Sequence, residues 1–216
     1  MDTQQQLVTL LAQRSARRGH FVLSSGRTSN LYIDARLTTM SPEGLALIGA
    51  LGLATVQRVF GANTVDAIGG LTLGADPIAY AIAYASANTP RPLRAFTVRK
   101  EAKAHGAGRQ VEGPYREGDR VVVVEDVITT GGSALKAVEV LRAHGAEILG
   151  VLALVDREEG GREALERAYM WAIVFGRPDK QALARRLEPS ANDVLCAVAP
   201  DEDLSLIHLL RCRRGI

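Results

Sequence analysis

Cysteine is missing from the first 195 of the 216 residues, and Cys196 and Cys212 stand alone near the C-terminus. No disulfide framework supports the core, and the usage fits a reducing cytoplasm. An excess of one charge is missing too: 26 Lys and Arg face 24 Asp and Glu, a formal net charge of +2, with no block of five like charges. That argues against a dedicated nucleic-acid or membrane-surface protein. The longest strongly apolar stretches, about 45–56 and 78–87, fall short of the roughly 18 residues a membrane span needs. Met1-Asp2-Thr3-Gln4-Gln5-Gln6 has no basic leader region, and Gln13, Arg14, Arg17 and Arg18 break up the apolar residues that follow, so no secretory signal is expected. Glycine (21) and proline (8) are near average usage, which excludes a collagen-like or linker-dominated chain. What is present is apolar, 47% against 23% charged, the composition of a packed domain rather than a disordered chain.

Leu7, Leu10 and Leu11 predict a helix over 5–18 ending at Gly19, followed by a short strand at 21–23, a turn at 24–27 and a second strand at 31–34. Ser41-Pro42-Glu43 opens a helix, with Ser as N-cap and Pro at the first helical position, that runs to about Phe60 and stops at Gly61. Beyond it, strand, glycine turn and helix alternate. Val65 to Ile68 is a strand entering the turn Gly69-Gly70-Leu71-Thr72-Leu73-Gly74, and Asp76-Pro77 caps a helix to about Ala87. A strand at 93–98 leads into a polar stretch, Arg99 to Gly118, without apolar period. Strands at 121–124 and 148–155 flank a helix over 134–144 closed by Gly145. This alternation predicts an α/β fold, an open parallel sheet with right-handed crossovers.

Val121 to Val124, followed by Glu125-Asp126-Val127-Ile128-Thr129-Thr130-Gly131-Gly132-Ser133, carries the most chemistry. Two acids end a buried-type strand, and a Thr/Gly/Ser turn opens a helix. Open α/β sheets bind ligands beyond the carboxyl ends of their strands, where such a segment sits. The turn's N–H groups, its hydroxyls and the helix dipole can hold a phosphate dianion. Glu125 and Asp126 can accept hydrogen bonds from vicinal sugar hydroxyls, so a phosphorylated ribose satisfies both halves. A plain helix start needs one cap, not two adjacent acids plus five small residues. No Gly-x-x-x-x-Gly-Lys-Ser/Thr occurs, and Gly106-Ala107-Gly108 has no third glycine at 111, which excludes a P-loop and a dinucleotide fingerprint.

Upstream, Arg99, Lys100, Lys103, His105 and Arg109 place five potential cations near Glu101 and Glu112, in a stretch too polar for a core. Such a loop can close over a departing pyrophosphate, neutralise its charge and exclude water; its other reading is a solvated surface loop. The small residues of Gly69 to Gly74 would let backbone amides approach the same pyrophosphate, or form a mere strand-to-helix turn. Arg157, just past a buried strand, is a fork-shaped cation suited to a carboxylate, or a surface arginine paired to Asp156 or Glu158. His20, His105, His144 and His208 are scattered and the cysteines lack ligand spacing, so no protein metal site is expected.

The segment from Val121 to Ser133 is similar to the phosphoribosyl-pyrophosphate motif of the type I phosphoribosyltransferases. Phe96 to Gly106 resembles the flexible catalytic loop of the orotate phosphoribosyltransferases. Ser25-Gly26-Arg27-Thr28-Ser29 with Tyr32-Ile33-Asp34, Gly69 to Pro77, and Leu154-Val155-Asp156-Arg157 match that branch in order and spacing. One motif would indicate only the superfamily; four in register over about 5–168 indicate the orotate branch. Two departures stand out. Leu73-Gly74 occupies a position where the family often has a bulky or basic pair, and some members have lysine where Ser24 stands, so no ligand role carries over to Ser24.

The resemblance implies an open parallel sheet with flanking helices in a domain of residues 1–168, with a small hood mainly from 1–40 and a flexible catalytic loop over 99–118. It implies transfer of the 5-phosphoribosyl group from phosphoribosyl pyrophosphate to orotate, giving orotidine 5′-phosphate and pyrophosphate in UMP biosynthesis. Lys103 and His105 would be catalytic, His105 donating either a proton or only a hydrogen bond. Phosphoribosyl pyrophosphate would meet Arg99, Lys100, Lys103, His105, Glu125, Asp126, Val127, Ile128, Thr129, Thr130, Gly131, Gly132 and Ser133. Orotate would meet Thr129, Arg157, Tyr32 and Ile33. Magnesium would arrive chelated by the substrate. A cytoplasmic homodimer sharing its catalytic loops between subunits is implied, with no nucleic-acid or membrane partner. Residues 169–216 hold one expected strand, 171–175, and then an unassigned extension: a packed addition, a loose tail or a translation artefact. Two rival readings are a purine phosphoribosyltransferase, which should lack the basic loop pattern, and a non-catalytic metabolite sensor, which should carry a winged-helix segment or a basic face.

Overall fold

The computed structural model describes residues 2–22, 28–101, 109–168 and 172–176. Two helices begin as the local chemistry dictates. Helix α1 (Thr3–Arg14) is capped by Asp2, whose carboxylate accepts the Gln5 N–H at 2.7 Å. Helix α3 (Pro42–Phe60) is capped by Ser41, whose hydroxyl accepts the Gly44 N–H at 3.1 Å. α3 is long and apolar enough to cross a membrane by length and composition; here it packs against α1 and α4 (Ala75–Ala85).

Strands β1 (Ala16–Val22) and β2 (Thr28–Ile33) form a two-stranded antiparallel ribbon, joined to α3 through the short helix α2 (Arg36–Thr39). The main sheet contains β3 (Ala67–Leu71), β4 (Arg94–Val98), β5 (Val111–Glu112), β6 (Arg120–Ile128), β7 (Glu147–Asp156) and β8 (Ala172–Gly176). Their order across the sheet is β5-β4-β3-β6-β7-β8, and every pair is parallel except β4 with β5. Helices α5 (Gly132–Ala143) and α6 (Gly161–Arg167) complete the α/β architecture that the alternation predicts. From β3 the chain passes through α4 to β4 on one side, then returns to β6 on the other. The switch point therefore lies between the carboxyl ends of β3 and β6, where open sheets form their clefts.

Alternation along the strands divides the core into two layers. Ile68, Val122, Val124 and Leu152 join α1, α3 and α4 in one cluster, while Val121, Val123, Val151 and Ala153 join α5 and Leu165 of α6 in the other. Each fully buried side chain such as Leu152 or Ile82 contributes about 1.5–3 kcal/mol relative to exposure.

Several boundaries differ from the sequence expectation. α1 stops at Arg14 instead of Arg18, because the Ser15 hydroxyl is buried against that of Thr38 at 2.8 Å and the chain enters β1 at once. Gly69 and Gly70 lie inside β3 rather than in a turn: a Cβ on Gly70 would come within 2.1 Å of the Val124 carbonyl oxygen, so the strand is read as a turn only when its neighbours are ignored. β6 continues through Glu125 and Asp126 to Ile128, held by parallel pairing with β7. β5 and α6 are too short for periodicity to reveal.

Candidate active site at the sheet's switch point

Glu125 and Asp126 end β6 at the switch point. Glu125 is only 7% exposed, and its Oε2 has no hydrogen-bond partner among the described residues. Burial, reinforced by the neighbouring Asp126 charge, pushes the Glu125 carboxyl well above the usual carboxylate range. Asp126 accepts the Val127 N–H at 2.8 Å. Its carboxylate fills the space a side chain on Gly74 would need, with a Cβ there 2.6 Å from Cγ, so glycine lets the Thr72–Gly74 turn close onto Asp126. Within that turn the Thr72–Leu73 peptide is cis.

The α5 start follows. Gly131 adopts φ +82°, and a Cβ on it would lie 2.9 Å from the Gly161 carbonyl oxygen, so both backbone sign and space require glycine. Unlike α1 and α3, α5 has no side-chain cap. Thr130, Gly132 and Ser133 are exposed and Thr129 half-buried, so the first-turn N–H groups stand beside open hydroxyls where an anion can be held.

Arg157 is brought to the same edge by its own N–H, which donates to the Ile128 carbonyl at 2.9 Å. Its side chain is 10% exposed, so it is no surface arginine, and its carboxylate partner is Glu159 at 2.9 Å, not Asp156 or Glu158. The same Nη2 donates to Ser29 Oγ at 2.9 Å and the Leu31 carbonyl at 3.3 Å. The guanidinium thus pins β2, with Tyr32 and Ile33, to the end of β6. Ile33 packs on the core; the Tyr32 ring stays exposed and lies 5.4 Å from that of Phe21.

The polar stretch after β4 has a closed neck. The Arg99 N–H donates to the Gln110 carbonyl at 2.9 Å, the Gln110 amide returns to the Arg99 carbonyl at 3.2 Å, and β5 pairs with Thr97 and Val98. Arg99 lies 3.8 Å from the Glu112 carboxylate, and Lys100 is exposed. Lys103 and His105 lie outside the described residues, as do Ser25, Gly26 and Arg27.

Sequence reasoning missed three features here. Glu159 cannot be told from Glu158 by any local signal. Arg36 and Asp34 form a bidentate pair (2.8 and 3.0 Å) in an open cleft of about 480 Å³ that also touches Leu73. Asp76, read as a helix cap, accepts two threonine hydroxyls instead.

Residues 42–178 match the family model of the phosphoribosyl transferase domain. An orotate phosphoribosyltransferase of Aquifex aeolicus is 50% identical over 170 residues, 77% of this chain and 91% of its own. The chain belongs to the orotate phosphoribosyltransferases. Another orotate phosphoribosyltransferase, from Rhodopirellula baltica, is 47% identical over 160 residues, covering 73% of this chain and 83% of its own. Among solved structures, the Mycobacterium tuberculosis orotate phosphoribosyltransferase in complex with phosphoribosyl pyrophosphate superposes with a TM-score of 0.66 at 37% identity, covering 82% of this chain and 96% of that one. An adenine phosphoribosyltransferase of Saccharomyces cerevisiae, 20% identical at a TM-score of 0.58 over 78% of this chain and 96% of its own, shares the fold. The α/β architecture of the orotate phosphoribosyltransferases is therefore the frame in which the switch-point residues are set.

Proposed function

We infer that this chain transfers the 5-phosphoribosyl group of phosphoribosyl pyrophosphate to orotate, releasing orotidine 5′-phosphate and pyrophosphate, a step of pyrimidine biosynthesis. The observation that carries the residue-level reading is the meeting, at one edge of the sheet, of a lone-oxygen Glu125 beside Asp126, an uncapped α5 start and the buried Arg157. The 5′-phosphate sits on the N–H groups of Thr130 to Ser133, with Val127 and Thr129 beside the cradle and Ile128, buried in the core, backing it from below. Glu125 and Asp126 accept the ribose hydroxyls. As the C1–pyrophosphate bond lengthens, charge grows on the leaving group, and Arg99, Lys100, Lys103 and His105 neutralise it, with Lys103 and His105 taking the catalytic part. The oxocarbenium-like carbon is then captured by the orotate nitrogen, whose N–H proton is lost to the departing pyrophosphate or to water. Arg157 orients the orotate carboxylate while Thr129, Tyr32 and Ile33 flank the ring.

The lone oxygen of Glu125 and the carboxylate of Asp126 fit a magnesium ion that arrives on the substrate. When bound, magnesium supplies counter-charge to the pyrophosphate. A cytoplasmic homodimer in which the loop of one subunit serves its partner's site completes the reading. Leu37, Met40, Leu73, Tyr80 and Tyr84, exposed along α2, the β3–α4 turn and α4, support such a contact. The phosphoribosyltransferase unit is taken as residues 1–168 together with β8, which pairs with β7 in the main sheet.

The test offers orotate, adenine, hypoxanthine or uracil in turn to the protein with magnesium and phosphoribosyl pyrophosphate. Orotate alone should be consumed with release of pyrophosphate. Consumption of a purine, or of no base, would overturn the assignment.

A further inference from the structure

Asp76 is 8% exposed, and among the described residues no lysine, arginine or histidine pairs with it. An aspartate that merely starts a helix turns its carboxylate back onto the first-turn N–H groups. Asp76, second residue of α4, points elsewhere: Oδ2 accepts the Thr72 hydroxyl at 2.7 Å and Oδ1 accepts the Thr97 hydroxyl at 2.8 Å. Since the Thr97 proton is committed to Asp76, the Tyr80 hydroxyl donates to Thr97 Oγ1 at 2.9 Å, which makes the relay directional, Tyr80 to Thr97 to Asp76. Hydroxyl donors and the positive end of α4 hold the buried charge in place of a cation.

The two threonines belong to different parts of the site. Thr72 opens the turn that closes on Asp126, and its own N–H donates to the Val98 carbonyl at 2.8 Å. Thr97 stands opposite Glu112 in the β4–β5 register, two residues before Arg99 and its neck bond to Gln110. One carboxylate therefore joins the turn beneath the ribose site to the root of the basic loop.

We propose that Asp76, through Thr72 and Thr97, is a positioning residue that fixes the Thr72–Gly74 turn against the loop root, so that both present their groups to the same leaving pyrophosphate. This rests on the reading above that turn and loop face pyrophosphate. It predicts an effect confined to that half of the site. Thr97→Val and Thr72→Val, which keep shape and remove the hydroxyl, should each lower kcat about tenfold and raise the KM for phosphoribosyl pyrophosphate, and for pyrophosphate in the reverse reaction, several-fold. The orotate KM should stay within about twofold, and Thr97→Ser and Thr72→Ser should restore activity to within about twofold. Asp76→Asn, which can keep only one of the two bonds in its present sense, should fall between wild type and the valine variants; it stands in for them if either fails to fold. Unchanged kinetics, equal shifts in both substrates, or serine variants as impaired as the valine ones would overturn the proposal. Failure of the underlying reading shows separately, as wild-type protein that releases no pyrophosphate with orotate.

Discussion

At the amino-terminal edge of the sheet, Asp66 precedes β3 and receives the Arg120 N–H at 3.0 Å, the Arg120 Nε at 3.1 Å and the Arg91 guanidinium. Next to it, Arg94 of β4 bonds Asp119 at 2.6 Å and the Pro114 carbonyl at 2.7 Å. Burial pushes the Asp66 carboxyl up, but the Arg120 hydrogen bonds and the charges of Arg120 and Arg91 outweigh it and hold the pKa at about 2. The carboxyl-terminal edge is the reverse. Glu125 is pushed up by burial, with one oxygen lacking a partner among the described residues, and α4, α5 and α6 all start without a side-chain cap. One edge completes its own electrostatics and stabilises the fold; the other leaves groups open, which the proposed function assigns to substrate.

Substitutions at the two edges should therefore separate cleanly into kinetic and thermodynamic losses. The largest effect is expected from Lys103→Ala, a single-turnover rate lowered by about 10² to 10³ with little change in melting temperature, the scale of one preorganised charge at a leaving group. A near-wild-type rate would remove Lys103 from the chemical step. Next, on the proposal that its fork holds the orotate carboxylate, Arg157→Ala should raise the orotate KM by about 10- to 100-fold while the KM for phosphoribosyl pyrophosphate barely moves. Parallel loss of both affinities would mean that its ties to Ser29 and Leu31 dominate.

At the opposite edge, Asp66→Asn should cost about 1–2 kcal/mol in urea unfolding at neutral pH and leave kcat and KM unchanged, a figure discounted for the exposed arginines. A carboxylate with a depressed folded pKa stabilises fully above its unfolded value, 3.8, and loses that contribution as pH falls toward about 2. The gap between wild type and variant should accordingly close over that interval, and a gap that persists there would refute the ion-pair account. The smallest stability effect is expected from Glu125→Gln. A carboxyl with a raised folded pKa carries no ionisation penalty below its unfolded value, 4.5, and a growing one as pH rises above it. At neutral pH the glutamine variant should unfold at the same or a slightly higher denaturant concentration, yet bind phosphoribosyl pyrophosphate more weakly. Destabilisation would show that Glu125 belongs with the completed edge.

Legibility in the sequence follows the same division. The valine run into Glu125-Asp126 and the Thr/Gly/Ser helix start is local chemistry at one strand end, so residues 121–133 disclose the strand and the helix start on which the proposed site rests. The cap at Ser41 is local as well. What stayed hidden depends on neighbours distant in sequence. Ser15 ends α1 because Thr38 is there to bond it, and Gly69 and Gly70 stay in β3 because Phe96 and Val124 lie too close for a side chain. Arg157 chooses Glu159 over two nearer carboxylates because of how the chain leaves β7. Asp76 resembles a cap until Thr97, 21 residues away, is brought beside it.

β5 has a consequence outside catalysis. Val111 and Glu112 cover the outer rim of β4 opposite Thr97 and Val98, and Gly113 at φ +100° passes close to the Ala95 carbonyl. A bare parallel strand at that position would offer unpaired N–H and C=O groups to any second chain. The segment that returns from the basic loop thus also guards the sheet against edge-to-edge aggregation. A loop deletion that removes Val111 and Glu112 would turn an impaired enzyme into an insoluble one, whereas a deletion that spares them would not.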